Sequence, residues 1–221
     1  MRRIRLTESN LRKAVDAAAA VLRNSGVILY PTDTLYGLGV DALSDEAVGK
    51  VIAIKGRKEW KPIHAIVSDL EMAARYGEIP DAVRILVRRL PKGQVTFIVE
   101  KKNFDTGIGK GIDTFGFRIP DNEFCVALCK KFGGPITATS ANLSGQESRR
   151  TIENILSQFK YTHIPKYVGM LNLVIDAGEL PEAKPSTVID LSRYDPVRPD
   201  SVRVLRAGAV SAVEILNALR A

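Results

Sequence analysis

Residues 30–39, Tyr30-Pro31-Thr32-Asp33-Thr34-Leu35-Tyr36-Gly37-Leu38-Gly39, constrain the fold more than any other stretch of this chain. They follow Val27-Ile28-Leu29, an apolar run after Gly26 that reads as a short buried strand. Pro31 has no N–H to give a sheet ladder, so the strand stops there or lies at an edge. The residues after Pro31 are rich in hydroxyls and close on two glycines that let the backbone approach something closely. Strand ends of this kind are where α/β proteins commonly hold ligands. Taken alone, the stretch reads equally as a polar connecting loop.

Downstream, Ser44-Asp45-Glu46 has the chemistry of a helix start, with acidic residues at the positive end of the dipole. Ala47, Val48, Val51, Ile52 and Ile54 supply its apolar positions, and Gly56 suits a left-handed cap. Around that cap stand Lys55, Arg57, Lys58 and Lys61, more cations than a helix C-terminus needs. They read either as a solvated basic turn or as a phosphate clamp, with arginine as a planar fork and lysine as a point charge. A third stretch, residues 133–145, runs from Gly133-Gly134-Pro135 through a short strand into Ser140-Ala141-Asn142-Leu143-Ser144-Gly145. Its small hydroxyl and amide side chains suit either a turn or a polar ligand.

In combination, these segments resemble the YrdC-type threonylcarbamoyl-adenylate synthase family. The matching motifs are Pro31 to Leu38, Lys55-Gly56-Arg57 and Ser140-Ala141-Asn142. Phe117-Arg118-Ile119-Pro120, Pro185 to Asp190 and Leu205 to Val210 follow in the family's order, so the resemblance spans roughly Leu11 to Val210. The family often has Pro-Gly-Pro-x-Thr where this chain reads Lys92-Gly93-Gln94-Val95-Thr96, and often a proline after Lys-x-Arg where this chain has Lys58.

The resemblance implies a YrdC-like α/β fold, a twisted open mixed sheet with packed helices and a concave basic face. It also implies a nucleotidyltransferase joining L-threonine, bicarbonate and ATP into threonylcarbamoyl-adenylate and pyrophosphate. By matched motif position, Lys55, Arg57, Ser140 and Asn142 form the catalytic signature. ATP contacts extend to Lys61, Thr114, Ser148 and Arg206. Thr34, Arg118, Ala138 and Ser186 line the threonine site. ATP enters as substrate and Mg2+ accompanies it on phosphate and water, with no protein metal site. A tRNA threonylcarbamoyl-transferase complex would take the product, and tRNA or double-stranded RNA is an open partner. The other reading is a YrdC-like RNA-binding module without synthase activity, against which the intact Lys55/Arg57 and Ser140/Asn142 pairs argue.

At 221 residues the chain is long enough for one well-buried core, and no linker, charge block or repeat divides it, so one domain over residues 7–221 is expected. Strands are expected at Val95–Val99, Thr114–Ile119, Ile136–Ala138, Leu173–Ile175 and Thr187–Leu191, interleaved with helices and without strict βαβ alternation. No apolar run is of membrane-spanning length and no signal-peptide core follows the basic start, which points to a cytoplasmic protein.

A net charge of +7 implies anionic partners, while aromatics at 6% supply little for stacking single-stranded bases. Cys125 and Cys129 have no companion ligands and read as buried thiols; His64 and His163 are isolated. Gly107-Ile108-Gly109-Lys110-Gly111 lacks P-loop spacing, and neither a Gly-x-Gly-x-x-Gly fingerprint nor a Gly-x-Ser-x-Gly elbow is present.

Overall fold

The computed structural model describes residues 1–56, 62–160 and 169–220. The described strands form two mixed sheets. The first holds β1 (Arg2–Arg5), β2 (Val27–Tyr30), β3 (Gly37–Gly39), β8 (Thr139–Ser140) and β9 (Leu171–Asp176), in the order β1-β9-β2-β3-β8. The second holds β4 (Ala65–Ile66), β5 (Val95–Glu100), β6 (Thr114–Arg118), β7 (Ile136–Thr137), β10 (Thr187–Asp190) and β11 (Arg203–Arg206), in the order β11-β10-β5-β6-β4-β7. Seven described helices accompany them: α1 (Leu11–Arg23), α2 (Asp45–Ile54), α3 (Leu70–Ala74), α4 (Asp81–Arg89), α5 (Glu123–Phe132), α6 (Ile152–Lys160) and α7 (Ala212–Arg220). The mixed α/β class expected from the sequence holds, as do the five named strands to within two residues at each end.

Local chemistry explains the helix limits. Ser44 caps α2 by accepting the Ala47 N–H at 3.2 Å, and Gly56 follows the helix at φ +58°. Asn122 caps α5 through the Cys125 N–H, and Gly133 ends it at φ +89°. Helix α1 begins at Leu11, after Glu8–Asn10 form a single 3₁₀ turn. It buries Ala14, Val15, Ala18, Ala19 and Leu22, a mostly small-residue face that packs on α5 and β2. On the other sheet, Phe97 and Phe117 are cross-strand partners with ring centroids 5.6 Å apart, and Phe115 continues the stack at 5.7 Å from Phe117. Cys125 and Cys129 are buried free thiols, as expected, and burial pushes both upward in pKa.

The two sheets meet at β7. Asp41 bridges Ile136, the Thr137 N–H donates to the Val40 carbonyl at 3.0 Å, and the Ala42 N–H donates to Pro135 at 3.1 Å. Between β7 in one sheet and β8 in the other lies a single residue, Ala138, where the chain crosses over.

Three features escape the hydrophobic pattern. Strand β1 is basic and mostly exposed, yet it pairs parallel with β9, where Asp176 accepts from Arg3 at 2.7 Å and Arg5 at 3.1 Å. The glycines at the end of residues 30–39 belong to a strand, not a loop. The close approach they permit is to Tyr30, since a Cβ on Gly39 would stand 2.7 Å from its ring. Strand β11 is exposed along its length and pairs antiparallel with β10 at the sheet edge. No helix among the described residues is long and apolar enough to cross a membrane.

Burial alone would raise the Asp176 pKa, but the Gly178 N–H and then the Arg3 and Arg5 guanidiniums outweigh it, and the carboxyl titrates below its ordinary 3.8. The stabilisation this carries is complete above the ordinary value and is lost as pH falls through the lower folded one. Asp176→Asn is therefore expected to lower stability at neutral pH and to reduce the further loss on acidification below pH 3.8. Urea unfolding across that range checks both effects.

Candidate active site

The strands converge on a cavity of about 580 Å³ that draws its walls from both sheets. Thr34, Tyr36, Gly37 and Ser140 come from the first sheet and its β2–β3 connection; Thr96, Arg118, Ser186 and Arg206 come from the second. Ala138, the crossover residue, lies between them, and Ser148 closes one side. Seven of the residues assigned from sequence thus line one cavity: Thr34, Arg118, Ala138, Ser140, Ser148, Ser186 and Arg206.

Arg118 ends β6 with its side chain 7% exposed. Its Nη1 donates to both oxygens of Asp33 at 2.7 Å and to the Gly93 carbonyl at 2.9 Å. Nε and Nη2 meet no acceptor among the described residues, so three buried N–H groups are left for a ligand. Unpaired buried donors are costly, and a planar edge of this kind matches a carboxylate or phosphate.

Arg206 is exposed overall on edge strand β11, but its guanidinium tucks against Ser186. It donates to the carbonyl at 2.7 Å and to Oγ at 3.2 Å. Desolvation there, and then the positive charge of Arg118, lower its pKa. Ser186 Oγ in turn shares a 2.8 Å hydrogen bond with Thr96 Oγ1, both hydroxyls being buried. Two guanidiniums near enough to feel each other's charge, in a cavity rich in hydroxyls, have the chemistry to hold an anion.

Sequence motifs distant along the chain prove to be neighbours. Thr187 Oγ1 donates to Val210 O at 2.6 Å and accepts the Val210 N–H, while Gly208 lies so close to the 185–187 backbone that a Cβ would stand 2.3 Å from Pro185 O. This contact carries Arg206 to Ser186. Tyr36 hydroxyl donates to Gly178 O at 2.7 Å and accepts from Ala177 N–H, anchoring the segment that leads to Pro185 and Ser186; desolvation pushes its pKa up to about 12.

Lys55 is 3% exposed and does not line the cavity. Its ammonium donates to the carbonyls of Ser140 and Asn142, the latter at 3.0 Å, and to Asn142 Oδ1 at 3.3 Å. Its own carbonyl accepts the Ser144 N–H at 2.9 Å. Asn142 is buried as well, accepting from Ser140 Oγ and donating to Leu143 and Gln146 carbonyls. Both residues therefore brace the loop that presents Ser140. Thr114 begins β6, four residues from Arg118 and about 13 Å along the strand, and it does not line the cavity. Arg57 and Lys61 lie outside the described residues.

The sequence reading missed Asp33, Thr96, His64 and Glu147. Asp33 stood inside the quoted motif, and Thr96 stood inside the loop that departs from the family pattern. His64 and Glu147 line the cavity with no sequence signal beyond their polarity. Glu147 pairs with Arg149 at 3.1 Å, and Asp33, behind the cavity wall, pairs with Arg118. Among the described residues no group of three His, Cys, Asp or Glu could hold a metal. A second cavity of about 530 Å³, mostly apolar, lies between α4 and α5 behind Gly93 and contains none of the assigned residues.

The fold and cavity define an α/β protein with a cleft, lined by hydroxyls and two arginines, where two sheets meet. The Sua5_yciO_yrdC family model, described as Telomere recombination, matches residues 20–208, and the chain belongs to that family. It is 37% identical over 200 residues to a threonylcarbamoyl-AMP synthase of Bos taurus, a match covering 85% of this chain and 68% of that protein. The crystal structure of P. abyssi Sua5 complexed with L-threonine superposes with a TM-score of 0.80 at 30% identity, covering 98% of this chain and 59% of that one. E. coli YciO superposes with a TM-score of 0.76 at 25% identity over 97% of both chains. The chain thus spans about two thirds of the bovine relative and 59% of the Sua5 chain.

Lys55→Ala would leave several buried oxygens without their donor. A stability loss of about 1–3 kcal/mol is expected, together with loosening of the Ser140 loop, measured by denaturant unfolding and amide exchange at residues 140–146.

Proposed function

We propose that this chain makes L-threonylcarbamoyl-adenylate and pyrophosphate from L-threonine, bicarbonate and ATP, as a nucleotidyltransferase supplying a tRNA modification. The observation that carries the reading is the buried Nε–Nη2 edge of Arg118, unpartnered among the described residues and set in a cavity rich in hydroxyls. It suits an amino-acid carboxylate. The relatives' shared name and the L-threonine held by P. abyssi Sua5 give the substrate class.

In this reading Arg118 takes the threonine carboxylate, with Thr34, Ala138 and Ser186 around the rest of the amino acid. The nucleotide lies toward Ser140, Ser148 and Arg206. Lys55 and Asn142 support that side through the loop they brace, and Arg57 and Lys61 are assigned to the phosphates. The threonine amine attacks the bicarbonate carbon and water leaves, giving a carbamate. A carbamate oxygen then attacks the α-phosphorus in line, and pyrophosphate departs with the bonding electron pair.

No protein nucleophile is required. The protein's work is to align two anions that repel each other and to oppose spreading phosphoryl charge with fixed cations. Mg2+ would accompany the nucleotide, held by phosphate and water, since no group of three His, Cys, Asp or Glu among the described residues could hold it. The product passes to a tRNA threonylcarbamoyl-transferase complex in the cytoplasm.

The test is pyrophosphate release from ATP and bicarbonate with and without L-threonine, with mass detection of the adenylate. Threonine-dependent release is expected, and Arg118→Gln is expected to weaken threonine use at least tenfold. RNA binding with a steep salt dependence and no threonine-dependent turnover would instead favour the RNA-binding module.

A further inference from the structure

We propose that Asp33 is the positioning residue of the carboxylate site: it fixes Arg118 by one nitrogen so that the guanidinium's Nε–Nη2 edge stays presented to the cavity. This rests on the reading of Arg118 as the partner of the amino-acid carboxylate.

An arginine and a carboxylate left to themselves pair fork to fork, two nitrogens to two oxygens. Here both Asp33 oxygens converge on Nη1 at 2.7 Å, and the Gly93 carbonyl takes the same nitrogen at 2.9 Å. Three acceptors compete for two hydrogens, while Nε and Nη2 meet none among the described residues. A pair built for stability would have turned the fork toward Asp33. Buried ion pairs are in any case weak stabilisers, since desolvation cancels much of their attraction. The observed geometry sacrifices pairing strength and keeps one edge open.

The surroundings hold Asp33 in that place. Thr32 Oγ1 accepts the N–H groups of Thr34 at 3.1 Å and Leu35 at 3.2 Å, and its own hydroxyl donates to Leu35 O at 2.7 Å, which closes a turn around Asp33. On the other side Gly93 has φ +74°, and a Cβ there would stand 1.9 Å from Asp33 Oδ2. Only glycine leaves room for the carboxylate. Asp33 does not line the cavity and acts from behind, through Arg118.

The competing role has the opposite sign. If Asp33 merely competed with substrate for Arg118, removing its charge would tighten threonine binding. Asp33→Asn keeps the shape and removes the charge, and Asp33→Ser serves should the amide variant not fold. The expected result is a threonine KM raised about tenfold or more, with the ATP KM and the turnover at saturating threonine changed less than about threefold. An unchanged or lowered threonine KM overturns the proposal, as does an equal loss toward both substrates.

A second readout needs no substrate. Nitrogen NMR of the guanidinium, assigned through Arg118→Lys, should resolve separate Nη1 and Nη2 signals in the wild type, because Asp33 hinders rotation, and these should merge in Asp33→Asn. Merged signals in the wild type, or resolved ones in the variant, overturn the proposal. Absence of threonine-dependent turnover in the wild type overturns the proposed function instead, and leaves this spectrum to decide whether Asp33 positions Arg118.

Discussion

Thr137 is the joint on which the geometry of this protein turns. It is fully buried in β7, its N–H donates to Val40 O, its hydroxyl donates to Leu38 O at 3.0 Å and accepts the Val40 N–H, and its carbonyl takes the Tyr30 hydroxyl at 2.9 Å. One residue of the second sheet thus answers four polar groups of the first, deep in the core where an unanswered group would be costly. The chain then crosses at Ala138 and pairs β8 with β3. Because the cavity takes its walls from both sheets, the distance between a hydroxyl on one side and a guanidinium on the other is set at this seam.

The seam gives position, and the arginines give chemical direction. Desolvation, and then the positive charge of Arg118, lower the Arg206 pKa, while Asp33 offsets the Arg118 charge from behind. Like charges held close together cost stability unless something opposes them. The same balance appears at Lys55, whose charge lies inside the protein on backbone oxygens and is converted into the fixed shape of a loop. Rigid backing of a binding group matters most where reactants must be held in line and no covalent intermediate helps.

The sequence showed some of this directly and some not at all. Apolar runs and caps disclosed β2, β5, β6 and α2, because burial and end chemistry act locally. Strands β1 and β11 are basic and exposed, and they are strands through partners roughly 170 and 13 residues away in the chain, Asp176 beside Arg3 and Asp190 beside Arg203. The glycines at 37 and 39 announced close approach correctly, but only the fold shows that a tyrosine seven to nine residues earlier is what approaches. Motif matching gathered seven residues into one cavity, yet it could not tell a residue that lines the cavity from one that braces the lining residue. Ser140 and Lys55 belong to matched motifs alike, and only the first lines the wall. Thr114 matched by position and lies at the far end of its strand.

That distinction bears on how the site departs from its relatives' pattern at residues 92–96. Losing prolines around Gly93 frees N–H groups, but the loop's essential parts are the glycine itself, whose carbonyl takes Arg118, and Thr96, whose hydroxyl reaches Ser186. Both are retained. The Gln94 carbonyl also accepts the Thr187 N–H at 2.9 Å, so a backbone acceptor, which any residue supplies, ties the loop to β10. What the proposed chemistry needs from this loop is a carbonyl, a hydroxyl and room for a carboxylate, and none of the three depends on proline.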